Sequence, residues 1–190
     1  MQFKFIAGMV IVLFFSLLVS QESFAASKNL SVENYSQERS NWCWVTAGQI
    51  IHRYLDGNYF TQCTLYRAGK NVSACANNTG GFYADMARVL SHGSVHVGLV
   101  TANLVPMYTI TSEIDKNRPL LVRIGWKSNP ANGHMLVLRG YNTNGNYVRY
   151  VYPKQSSNDT DRTSEFRSST YSFLKDNASW QLTHTRYQMY

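Results

Sequence analysis

A cysteine in the first turn of a helical period, a histidine that opens an apolar strand and a glutamine six residues before the cysteine are residue types suited to one reaction. A thiol attacks as its thiolate, and two things favour that form: the positive end of a helix and a nearby imidazolium. Cys43 meets the first condition, because Trp42, Val45, Ala47, Ile50, Ile51 and Tyr54 recur at helical spacing over residues 41–55. Five histidines could meet the second. His52 lies nine residues further along the same helix and cannot reach Cys43 along it. His92 closes a helical stretch, where a cation is favoured as a cap. His96 and His184 have no distinguishing context. His134 follows Asn132-Gly133 and begins the most apolar strand, so it can project into a cleft from a fixed backbone. Acyl transfer also needs donors aimed at the developing oxyanion, and the Gln37 side chain and the backbone N–H of Cys43 can supply two.

The elements that must position these groups fall into two sets. Ser40 or Asn41 is the expected N-cap of the cysteine helix, and Asp56-Gly57-Asn58 its stop. Further helices are expected over 61–68 and 82–90, with a loop over 70–78 and Ser91-His92-Gly93 ending the last of them. From about residue 95 the period changes to two. Strands are expected over 97–100, 120–126, 135–141, 147–152 and 180–185. A short helix is expected over 111–117, a turn over 129–133, an Asn-Gly hairpin over 142–146 and a polar loop over 154–164. Helices first and an antiparallel sheet second make an α+β domain.

Residues 1–25 stand apart. Lys4, an apolar run over 5–19 and the small residues Ser23 and Ala25 have the form of an export signal cleaved after Ala25, which would leave no stable membrane anchor. The remaining 165 residues, 26–190, suffice for one domain and keep the net charge of +7. That surplus suits an anionic cell surface as partner. The basic residues are scattered rather than clustered, which together with export argues against nucleic acid. Cys63 and Cys75 are close in sequence within a polar stretch, and a disulfide between them would close a small loop and leave Cys43 as the single thiol. The count alone leaves Cys43 either a small buried hydrophobe or a thiol kept for its chemistry. No metal site or cofactor is expected, since the cysteines and histidines lack ligand spacing.

The stretch Gln37-Glu38-Arg39-Ser40-Asn41-Trp42-Cys43-Trp44 resembles the oxyanion-glutamine and nucleophile segment of papain-like cysteine peptidases. Gly133-His134-Met135-Leu136-Val137-Leu138-Arg139-Gly140-Tyr141 resembles their histidine strand. The compact size and Asn117-Arg118-Pro119-Leu120-Leu121-Val122 resemble a secreted bacterial branch that includes bacteriocin-leader-processing and type III effector peptidases. The resemblance implies a helical half carrying Cys43 and a sheet half carrying His134, with a peptide or protein substrate between them. It also implies Cys43 as nucleophile, His134 as acid and base, and Gln37 at the oxyanion.

One position departs from that pattern. An Asp that orients the histidine commonly precedes a proline at the end of the next strand, and here Val151-Tyr152-Pro153 places a tyrosine there. Tyr152 can accept a hydrogen bond but is uncharged at neutral pH, and Asn142, Asn144 or Asn146 in the hairpin are the other candidates for a third member. Three functions follow: a thiol peptidase acting through a Cys–His pair, a catalytically impaired binding protein of the same fold, and a cell-wall amidase or endopeptidase.

Overall fold

The computed structural model describes residues 26–154 and 165–190; the expected export signal over 1–25 and most of the polar loop expected over 154–164 lie outside the described residues. The chain is α+β. A short strand β1 (Ser27–Asn29) precedes three helices, α1 (Cys43–Leu55), α2 (Gln62–Lys70) and α3 (Tyr83–Ser91). There follow β2 (Leu99–Ala102), α4 (Met107–Asp115), β3 (Leu120–Trp126), β4 (Asn129–Asn142), β5 (Tyr147–Tyr152), β6 (Glu165–Thr170), α5 (Tyr171–Lys175) and β7 (Trp180–Tyr187). The strands form one antiparallel sheet in the order β2-β7-β3-β4-β5-β6, with β1 on the far end of β4.

Burial explains why the elements lie where they do. Leu120, Leu121 and Val122 of β3 and Met135 to Leu138 of β4 are buried without alternation, because both faces of these central strands are covered. Residues Trp44 to His52 of α1 are all buried. The helix lies between the sheet on one side and α2 and α3 on the other, and a Cβ at Gly48 would stand 2.4 Å from a Val89 methyl. His52 is part of this packing: its ring bonds Asp56 at 2.9 Å and the Val89 carbonyl at 2.8 Å.

Several expected boundaries are corrected. The N-cap of α1 is Trp42, with no side-chain cap. Ser40 and Asn41 are engaged elsewhere: the Asn78 amide donates to Ser40 Oγ, and Asn41 Nδ2 donates to the Asn78 carbonyl. The helix expected over 111–117 begins at Met107, after Pro106, and ends at Asp115. The strand expected over 97–100 starts two residues later, after Gly98 at φ +65. The turn expected over 129–133 is strand: Trp126 pairs with Asn129, so the chain reverses at Lys127-Ser128. The last strand runs on to Tyr187, while β1, β6 and α5 carry too little pattern to be anticipated.

Cys63 and Cys75 form a disulfide that ties α2 to the loop before α3. That loop clamps the chain leading into α1. The Ala76 carbonyl accepts from Arg39, the Asn77 carbonyl from the Trp42 indole and the Thr79 carbonyl from the Trp44 indole. Replacing both cysteines by alanine is expected to lower stability by about 3 kcal/mol, the loop-closure value for a ring of this size. A denaturant titration of the double variant against the oxidised parent measures it.

Candidate active site

Cys43 is the first residue of α1, so its thiol stands where the helix leaves backbone N–H groups without intrahelical acceptors. Burial pushes the thiol above its ordinary value. Backbone N–H groups of Met135 and Trp44, the Arg123 charge and its own N–H pull in the opposite direction but do not cancel it. Cys43 is the free cysteine and is half-buried, at the floor of a cleft of about 710 Å³ between the helices and the sheet. His134 lines the same cleft from β4, where it pairs with Ile124.

The His134 ring is held from three sides. Nε2 lies 2.7 Å from the Pro153 carbonyl. A carbonyl only accepts, so Nε2 carries the proton and Nδ1 keeps its lone pair. The Tyr152 ring lies against the imidazole, centroids 4.4 Å apart at 30°, and the Arg167 guanidinium lies over the Tyr152 ring at 3.9 Å. Trp126 closes the cleft side at 6.5 Å. Burial is the main reason that His134 is lowered to about 4; the Pro153 bond opposes this, and the Arg167 charge adds to it.

Neither expected third member is hydrogen-bonded to His134 among the described residues. Tyr152 stacks on His134 and does not accept its proton. Asn142 lies at the opposite end of β4, paired with Tyr147, with its Oδ1 taken by the Asn144 N–H; Asn146 sits in the same hairpin. The acceptor is the backbone of Pro153, which no side-chain motif announces. Gln37 is buried near this point, its N–H bonded to the Lys154 carbonyl, one residue beyond Pro153. Its Nε2 donates to the Arg39 and Ser40 carbonyls at 3.0 and 2.8 Å, while Oε1 has no partner among the described residues. The structure thus brings Cys43 and His134 into one cleft, while Gln37 is not among its lining residues and turns its amide into the loop before α1.

The remaining histidines lie apart from the cleft. His92 is the C-cap of α3, packed on Phe60. His96 stacks on Tyr190 and His184 lies against Tyr83. Among the described residues no three His, Cys, Asp or Glu side chains could hold a metal ion together, and no helix is long and apolar enough to cross a membrane.

Residues 25–171 match the family described as papain-like cysteine protease AvrRpt2. The chain belongs to that family. Its fold is also that of the peptidase domain of Streptococcus ComA, a bi-functional ABC transporter involved in a quorum-sensing pathway. The two share 12% identity over 83% of this chain and 99% of that one, with a TM-score of 0.55. No curated protein sequence matches the chain. As a papain-like cysteine protease it presents its thiol and imidazole from the two halves of the fold, and the carbonyl of Pro153 sets the histidine tautomer.

The depressed value of His134 has a consequence for stability. Between its ordinary 6.5 and about 4, the unfolded chain takes up a proton that the folded ring refuses. The contribution is full above 6.5 and is lost as pH falls through that window, by no more than about 3 kcal/mol, less what solvent reaches the half-buried ring. Urea midpoints measured from pH 7 to 4.5 should fall for the parent and run flatter for His134→Gln.

Proposed function

We propose that the protein is a secreted peptidase that hydrolyses peptide bonds through a Cys43–His134 pair. The observation that carries this reading is one cleft holding a thiol at a helix N-terminus and an imidazole whose Nδ1 lone pair is left free by the Pro153 bond. With the thiol raised and the imidazole lowered, the resting pair is neutral. Nδ1 takes the thiol proton as Sγ attacks the peptide carbonyl. The oxyanion is received by the Cys43 backbone N–H, with Gln37 completing the hole when its amide turns from the Arg39 and Ser40 carbonyls. The imidazolium then protonates the leaving amine, and water hydrolyses the thioester. Export rests on the character of residues 1–25, and the Cys63–Cys75 bond supports it, since such bonds persist in oxidising compartments.

The inward Gln37 amide favours one other reading, a binding protein that keeps the cleft without turnover. Mass spectrometry after brief exposure to a peptidyl epoxysuccinyl inhibitor separates the two. Stoichiometric labelling of Cys43 supports the peptidase. A free but unlabelled Cys43 supports the binding protein.

A further inference from the structure

Arg123 is the only Lys, Arg, Asp or Glu side chain among the described residues lining the cleft. It arises from β3, opposite Met135 of β4 and His184 of β7. Its guanidinium has five N–H donors, and the acceptors it meets are neutral: Thr183 Oγ1 at 3.0 Å and the Ala131 carbonyl at 3.2 Å. No carboxylate pairs with it among the described residues. The paired glycines 125 and 133 make its seat. A Cβ on Gly133 would stand 3.1 Å from the guanidinium carbon, and one on Gly125 3.5 Å from Nη1. Gly133 immediately precedes His134, so the charge lies beside the reacting pair.

A half-buried guanidinium without a counter-charge is costly to hold, and its planar fork matches a carboxylate. We propose that Arg123 reads a carboxylate on the peptide that occupies the cleft, close to the bond that Cys43 attacks. This deepens the peptidase reading and rests on it for the word substrate: the preferred peptide carries an acidic group beside the scissile bond. Arg123 is then a specificity residue, and its charge also favours the thiolate.

The test uses the oxidised full chain, in which Cys43 is the free thiol. Rates of Cys43 alkylation are measured with iodoacetate and with iodoacetamide, which differ by one carboxylate. Arg123→Gln is expected to lower the iodoacetate-to-iodoacetamide ratio roughly ten-fold, the scale of one charge-assisted hydrogen bond. Arg123→Lys keeps most of the ratio, and in the parent the ratio falls as salt rises. A ratio that Arg123→Gln leaves unchanged, including both rates falling together, overturns the proposal. So does a parent ratio independent of salt, a measurement that needs no variant to fold, or failure of iodoacetate to reach Cys43. A ratio that behaves as expected in a protein that no peptidyl epoxysuccinyl inhibitor labels keeps the anion site and removes the peptidase reading instead.

Discussion

Replacing His134 with alanine is expected to lower kcat/KM by roughly 10²–10⁴-fold, the range contributed by a positioned general acid–base. The effect is large because the thiol is held toward its neutral form: burial raises it above its ordinary value, and the Met135 and Trp44 N–H groups and the Arg123 charge do not offset that. Without Nδ1, attack requires a thiolate that is scarce at neutral pH. In the parent, His134 stays neutral until pH falls to about 4, so the acid limb of kcat/KM is expected near that value rather than near 6.5. The variant lacks that limb. The fold should survive, because the loss leaves one Pro153 carbonyl unpaired and costs about 1–3 kcal/mol. Single-turnover labelling of Cys43 across pH, alongside a thermal melt, separates loss of chemistry from loss of structure.

Trp44→Ala acts through the opposite route. Trp44 is 1% exposed and lies directly after Cys43. Its ring fills the space above two glycines: a Cβ on Gly69 would stand 2.5 Å from it and one on Gly81 2.2 Å. Its indole N–H reaches the Thr79 carbonyl at 3.2 Å, and Lys70 Nζ lies 5.2 Å from the ring centroid. One side chain therefore joins α1, α2 and the Gly80-Gly81 wall of the cleft. Emptying that space is expected to cost about 3–5 kcal/mol, the range for a buried tryptophan truncated to alanine. A lowered denaturant midpoint at unchanged slope measures it. Activity should fall with it, since the wall facing Cys43 loses its backing, whereas Trp44→Phe should retain most of both.

The α+β arrangement was legible because its signals are local. The 3.6-residue recurrence through Trp42, Val45, Ile50 and Tyr54 places Cys43 in the first turn of α1, and the structure agrees. The Asn142–Asn146 hairpin was legible for the same reason: glycine and asparagine both accept the positive φ that Gly145 and Asn146 adopt. Cap identity was not, because Ser40 and Asn41 are good caps in isolation and are claimed by Asn78, 37 residues away from Asn41. The turn expected before His134 failed similarly. Gly133 reads as a turn residue, yet its lack of a side chain serves close approach inside a hairpin, where a Cβ would meet the Ile124 carbonyl at 2.0 Å.

By itself the sequence determined a helical half followed by an antiparallel half, the thiol and imidazole each half presents, and the pairing of Cys63 with Cys75. These follow from side-chain period, residue type and short separation along the chain. Only the tertiary structure decided that the Pro153 carbonyl, and neither Tyr152 nor Asn142, is the hydrogen-bond partner of His134 Nε2. It alone turned the Gln37 amide toward the Arg39 and Ser40 carbonyls and left Arg123 in the cleft with no carboxylate beside it among the described residues. The reason is physical: a backbone carbonyl is the same in every residue, and the direction of an amide or the neighbours of a charge depend on groups that folding brings together from distant parts of the chain.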